Sequence, residues 1–227
     1  ATLVHDDIID DSDLRRGMET AQSKYGKDVA VFTGDYLFSL TFDILSGTAS
    51  NQQLKEVAKI IRRICEGEID QYQDKYNLSV SYKDYFKRIK SKTALLFEGS
   101  CILGASMTNL SKWNIRNLGH YGRYLGMAFQ LTDDVLDFSQ QSKELGKPNS
   151  NDFTQGIYTL PLLYTIYETD SGVQLKELLE KPVKNSEEIK AIVVEEGGLD
   201  YTLDIARDYI DKAKDKVRKL PVHSYQG

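Results

Sequence analysis

The chain of 227 residues is poor in the residues that staple or interrupt a fold: it has 2 cysteines, 4 prolines and 3 histidines. Cys65 and Cys101 form no Cys-x-x-Cys pair and sit in apolar helical contexts. That sets aside a disulfide framework and reads as two buried free thiols in a reducing cytoplasm. No stretch reads as long enough to span a membrane, and no signal-peptide pattern is visible. Strand-like alternation is confined to scraps such as Leu78-Ser79-Val80, and no Pro-rich or low-complexity linker divides the chain. Positive charge is short overall, the net charge being −5, which argues against a general nucleic-acid binder. The basic run Lys212, Lys214, Lys216, Arg218 and Lys219 reads as the solvated face of a terminal helix.

Helical periodicity fills the space these absences leave. Leu54, Val57, Ala58, Ile61, Cys65, Ile69 and Tyr72 recur at helical spacing, tracing one apolar face. Ser81 with Asp84 makes an N-terminal cap pattern, Ser111 opens another helix, Gly47 closes one, and Pro161 suits a first helical turn. These signals predict helices over 1–13, 28–47, 51–76, 81–107, 112–138, 160–169, 172–180, 186–196 and 199–219. The expected fold is all-α: residues 1–227 as a single helical bundle with a central active-site cavity. Ala1 falls inside an apolar helical pattern without a preceding Met, so residues are expected upstream.

Two acidic clusters of the form Asp-Asp-x-x-Asp stand out, Asp6-Asp7-Ile8-Ile9-Asp10 and Asp133-Asp134-Val135-Leu136-Asp137. Residues four apart on a helix share a face, with Cβ atoms about 5–6 Å apart. Asp6 with Asp10, and Asp133 with Asp137, are therefore like-charge pairs that weaken a helix by a few tenths of a kcal/mol each. A bound cation reverses that penalty, and Mg²⁺ typically takes one or two carboxylates while waters and phosphates complete its octahedron. Either cluster alone could be a solvated acidic face. Both are flanked by apolar residues, however, and Gln130, Asp133, Asp134 and Asp137 follow i, i+3, i+4, i+7, one polar stripe on an otherwise apolar helix. Together they read as a clamp for a polyphosphate with its metals.

Leu3-Val4-His5-Asp6-Asp7-Ile8-Ile9-Asp10 followed by Leu14-Arg15-Arg16-Gly17 resembles the first aspartate-rich motif of trans-prenyl diphosphate synthases, and Phe129 to Phe138 resembles the second. Lys92-Thr93, Gly146-Lys147-Pro148, Asp152 and Thr159-Leu160-Pro161 follow in family order, so the likeness runs from Ala1 to about Tyr164. The resemblance implies an isoprenoid-synthase bundle and an allylic diphosphate bound through three Mg²⁺ ions. It implies ionisation of that substrate, condensation with isopentenyl diphosphate, and proton loss. Asp6, Asp10 and Asp133 map onto direct metal ligands, with Asp7, Asp134, Asp137 and Asp152 as ligands or their support. Arg15, Lys92 and Lys147 map onto contacts to the allylic diphosphate and Arg16 onto isopentenyl diphosphate. Thr93 and Gln130 map beside the reacting carbons, as catalytic groups with Lys92. Arg15 and Arg16 could instead be surface charge, and Lys92 could be solvated like Lys87, Arg88 and Lys90. His5 is expected to pack rather than bind metal.

Three departures from the family pattern are visible. Gly156-Ile157 stands where many relatives carry Gly-Lys, Glu19 and Gln22 replace Pro and His or Asn, and the upstream Gly-Gly-Lys-x-x-Arg segment is not seen. Ala1 and Thr2, one turn before Asp6, are small where short-chain relatives tend to carry aromatics, which implies a product in the geranylgeranyl to heptaprenyl range. Ala94, Gly99, Ser100, Gly104 and Ala105 could leave room for the tail or merely permit close helix packing. A homodimer is expected, with a heteromer possible. A class I terpenoid cyclase and a regulatory subunit of a heteromeric synthase are the competing readings.

Overall fold

The computed structural model of the chain describes residues 2–138 and 151–220. Ala1 and the loop residues Gly146, Lys147 and Pro148 lie outside the described residues. The chain folds into two compact units, one ending at Lys55, the other running over Glu56–Phe138 and resuming at Asn151.

The first unit opens with α1 (Thr2–Ile9), continues through a short hairpin of β1 (Leu14–Arg15) and β2 (Met18–Glu19), and closes with α2 (Ala21–Tyr25) and α3 (Lys27–Thr48). The expected helix over 1–13 is thus cut short at Ile9, with Asp10 closing the last bond from its N–H to the Asp6 carbonyl at 2.8 Å. Arg16 and Gly17 then both take positive φ, 53° and 76°, the requirement of a tight two-residue turn between antiparallel strands. A run of polar residues masked that turn in the sequence. Gly34 of α3 is the residue against which the His5 ring packs, and any side chain there would collide with it.

By length and composition alone α3 is apolar enough to cross a membrane, contrary to the expectation that no stretch would be. Asp35 and Asp43 lie along it, and an aspartate near a helix centre in lipid costs about 2.5–3.5 kcal/mol. Its outward residues are large and apolar: Phe32, Tyr36 and Ile44 are 72%, 66% and 61% exposed.

Helix α4 (Asn51–Gln73) leads into the second unit, followed by α5 (Tyr82–Ile89), a π-helical turn (Lys90–Ala94), α6 (Leu95–Ser106) and α7 (Lys112–Phe138). A 3₁₀ turn (Asp152–Gln155), α8 (Leu160–Glu168), α9 (Gly172–Leu178), α10 (Ser186–Glu195) and α11 (Gly198–Val217) complete it. Ser81 and Asp84 form the expected reciprocal cap of α5, and Ser111 Oγ accepts from the Asn114 N–H at 3.2 Å at the start of α7. Helix α7 is the axis of this unit, packing against α6 on one side and α11 on another. On the α6 side Gly119, Gly122 and Gly126 form a groove with no room for Cβ atoms, filled by Ile102, the Phe97 backbone and Ala94. The core is completed by Tyr85, Leu131, Phe153, Leu160, Leu163, Leu175 and Ile189, all at most 1% exposed.

The apolar face expected on α4 is turned outward at Ala58, Cys65, Ile69 and Tyr72, and the helix buries Gly67 and Gln71 instead. Gly67 faces the chain at Ser91 and Lys92, where even a Cβ would be tight at 3.0 Å, so close approach to the π turn decides the rotation. Cys65 is accordingly exposed and Cys101 half-buried, not the two buried thiols expected. Along α11 Lys214 and Arg218 pair with Asp211 and Asp215 one turn earlier, as a solvated face does.

Candidate active site

In the first unit the Asp7 carboxylate is buried, and the hairpin returns Arg15 Nε to it at 2.6 Å. Gln22 is also buried; its Nε2 donates to the carbonyls of Asp7 at 2.7 Å and Ser12 at 2.9 Å. Thr20 Oγ1 donates to the same Ser12 carbonyl at 2.7 Å. These bonds tie the acidic helix end to α2, so the departure from the family's residue type at position 22 retains a structural use. Asp10 is exposed and Asp6 half-buried, while Arg16 sits exposed at the turn. His5 packs as expected: its ring stacks on Phe38, and Nε2 lies 3.3 Å from the Val31 carbonyl. Thr2 is half-buried at the first residue of α1.

In the second unit the polar stripe of α7 behaves as a sequence of hydrogen bonds. Thr93 Oγ1 donates to Gln130 Oε1 at 2.6 Å, and Gln130 Nε2 donates to Asp134 Oδ1 at 2.8 Å. Tyr85 Oη donates to the other Asp134 oxygen at 2.5 Å. The buried Arg88 lies with its guanidinium carbon 5.6 Å from the centre of the Tyr85 ring and donates to the Tyr158 carbonyl at 2.6 Å. Asp133 is exposed on the same stripe and Asp137 half-buried. Asn151 donates to the Asp137 backbone carbonyl, and the Asp152 N–H donates to the Asp137 carboxylate at 3.0 Å. Lys92 is held by Glu68 at 3.1 Å.

Sequence reasoning passed over Tyr85, Arg88 and Glu68, and it took Arg88 for a solvated side chain, whereas it is 5% exposed. A signal existed: Tyr85, Arg88 and Lys92 stand at i, i+3 and i+7, a polar stripe like that of α7. The π turn then advances the register at Lys92-Thr93; such single-turn bulges recur at functional sites. Of the small residues considered as tail room, Gly99 lies against Ile60 and Ala94 against Gly126. Helix packing accounts for both.

Negative charge accumulates around α7's end. Burial pushes the Asp152 carboxyl well above the usual range, and Asp137, Asp134 and Asp133 raise it further, while Lys92 opposes them. Burial also lifts Asp134 to about 6 against its Tyr85 and Gln130 bonds. Among the described residues no three His, Cys, Asp or Glu side chains converge closely enough to hold an ion by themselves. The donor set still fits Mg²⁺, which takes few protein oxygens and keeps waters or substrate phosphates for the rest. A divalent cation would relieve the repulsion that raises Asp152.

The raised Asp134 has a measurable consequence. Its carboxyl titrates near 3.8 unperturbed and near about 6 when folded. Between those values the folded protein holds a proton that the unfolded chain has lost, so this group's contribution to stability falls as pH rises, by at most about 1.4 kcal/mol per unit. Asp134→Asn does not titrate. In metal-free buffer its melting temperature relative to wild type should therefore rise between pH 4 and pH 7, and a flat difference would show that burial does not govern this carboxyl.

Ile157, at the position where the family resemblance leads to the expectation of lysine, is 8% exposed. An ammonium there must leave water, which costs on the order of 1–3 kcal/mol by mutational measure. Ile157→Lys should lower the melting temperature by several degrees; an unchanged melt together with tighter allylic substrate binding would mean that the position opens to the diphosphate instead.

The family profile described as polyprenyl synthetase matches residues 1–195. Heptaprenyl diphosphate synthase component 2 of Geobacillus stearothermophilus is 36% identical over 230 residues, spanning 100% of this chain and 71% of its own length. The crystal structure of heptaprenyl diphosphate synthase from Staphylococcus aureus superposes with a TM-score of 0.91 at 35% identity, over 98% of this chain and 70% of that one. Polyprenyl synthase from Caulobacter crescentus, complexed with calcium and isoprenyl diphosphate, gives a TM-score of 0.90 at 36% identity over 98% and 69%. With the two aspartate motifs, the Lys-Thr turn and the all-helical fold in agreement, the chain belongs to the polyprenyl synthetase family.

Proposed function

We propose that this protein is a prenyltransferase that makes long-chain trans-polyprenyl diphosphates. The carbon–oxygen bond of an allylic diphosphate breaks and diphosphate leaves. The allylic cation then bonds to the terminal alkene carbon of isopentenyl diphosphate, and a proton is lost to restore a double bond. The observation that carries the reading is the chain of bonds from Thr93 through Gln130 to Asp134 beside the acidic group of Asp133, Asp137 and Asp152. Oxygen dipoles and metal-binding carboxylates are what a reaction with a cationic centre and an anionic leaving group requires.

In this reading Asp6, Asp10, Asp133 and Asp137 supply oxygens to Mg²⁺, three ions accompanying the bound diphosphate. Asp7 and Asp134, engaged by Arg15 and by Tyr85 with Gln130, hold these segments in shape. With Mg²⁺ bound, the departing diphosphate meets a Lewis acid. Arg15, Arg16, Lys92 and Lys147 bind the two diphosphates, the arginines through paired donors and the lysines as point charges. Thr93 and Gln130 turn oxygen lone pairs toward the developing cation. Thr2 with Ala1 sets the depth available to the tail, in the geranylgeranyl to heptaprenyl range.

We take residues 1–227 as one synthase domain acting in the cytoplasm. The exposed Phe32, Tyr36 and Ile44 of α3 support a homodimer, because contiguous large apolar residues on a surface mark association sites; a monomer in sedimentation would remove that assignment. The deciding experiment incubates the protein with Mg²⁺, farnesyl diphosphate and labelled isopentenyl diphosphate. A synthase incorporates label on its own, a cyclase releases hydrocarbon without label, and a regulatory subunit does neither. Chromatography of the labelled product reads chain length.

A further inference from the structure

We infer that Tyr85 is a positioning residue for the condensation, holding the Asp134 carboxylate that orients the hydrogen bonds ending at Thr93. The inference rests on the prenyltransferase reading above, since it concerns how that site is held.

The Tyr85 hydroxyl donates its proton to Asp134 Oδ2, 2.5 Å away. A carboxylate only accepts. Asp134 therefore requires the amino end of Gln130, which stands 2.8 Å from Oδ1. With its amino end committed, Gln130 presents only its carbonyl oxygen to Thr93, whose hydroxyl must donate at 2.6 Å. The Thr93 proton is consumed in that bond, and the oxygen lone pairs are left for an electron-poor carbon. Were the amide of Gln130 reversed, Thr93 would accept from it and would turn its proton toward the cation.

The anchor is rigid. Tyr85 is fully buried, packs edge-on to Phe86 and is covered on one face by Arg88. The Tyr85 hydroxyl thus links α5 to the polar stripe of α7.

Tyr85→Phe keeps the ring and removes the hydroxyl that bonds to Asp134. In the Mg²⁺-dependent condensation assay the turnover number should fall about 10-fold or more, while the Michaelis constants of both diphosphates stay within about twofold, since Tyr85 is not proposed to touch either. The distinguishing measurement is a double-mutant cycle with Thr93→Val, which has the same shape but no hydroxyl to orient. In that background Tyr85→Phe should have little further effect on turnover. Losses that multiply across the two sites, or a Tyr85→Phe enzyme with wild-type turnover, would overturn the inference. If Tyr85→Phe does not fold, Gln130→Glu interrogates the same bonds by placing an acceptor against Asp134. A turnover loss that vanishes in the Thr93→Val background supports the inference, and wild-type turnover overturns it. An inactive wild-type protein would instead overturn the prenyltransferase reading, and this inference with it.

Discussion

Asp133→Ala should lower turnover by about 10³-fold or more at saturating Mg²⁺ while leaving a folded protein whose melting temperature is unchanged or slightly raised. The side chain is exposed, so its removal opens no cavity. It also relieves a like-charge contact with Asp137 one turn away, worth a few tenths of a kcal/mol. What it removes is a carboxylate for the cation that stabilises the leaving diphosphate, a contribution of several kcal/mol to the transition state. Asp6→Ala should behave alike. Steady-state rates together with calorimetric melts in metal-free buffer separate the two effects. Near wild-type turnover in either variant would withdraw that aspartate from the metal site, and a large drop in melting temperature would assign it to the fold.

Most helices were legible because their signals are local. The capping pair Ser81 and Asp84 and the periodicity of α7 depend on neighbours within a turn or two. What failed depends on distant partners. The first helix ends at Ile9 because Gln22 and Thr20 draw the carbonyls of Asp7 in its last turn and of Ser12 beyond it toward α2, and neither residue advertises that bond. The face of α4 was misjudged because hydrophobicity favoured Cys65, Ile69 and Tyr72, while Gly67, with no side chain, was the residue allowed nearest the π turn. The aspartates, Lys92, Thr93 and Gln130 were readable as chemistry. The buried pair Tyr85 and Arg88 was legible only as a faint stripe with Lys92, since arginine on a charged helix usually faces water.

The groove on α7 offers a test of how tightly the site depends on packing. A Cβ at Gly126 would stand 2.7 Å from the Ala94 Cα and 3.1 Å from Phe97 Cδ2. The first of these is backbone, which cannot rotate away. Gly126→Ala would by propensity alone stabilise a helix interior by about 1 kcal/mol. Instead it should destabilise, because forced overpacking costs about 1–3 kcal/mol and α6 must move off α7. Ala94 adjoins Thr93, whose 2.6 Å bond to Gln130 has no slack to absorb such a shift. A displacement on the order of 1 Å at a reacting group can lower turnover about 10²-fold. Gly104→Ala is the internal control: it lies in α6 with nothing within 4 Å of its would-be Cβ, so it should gain a few tenths of a kcal/mol and keep full activity. Thermal melts and condensation rates on both variants decide the matter. If Gly126→Ala matches Gly104→Ala in both, the helices are not held at contact distance and the alignment of Thr93 with Gln130 does not depend on that groove.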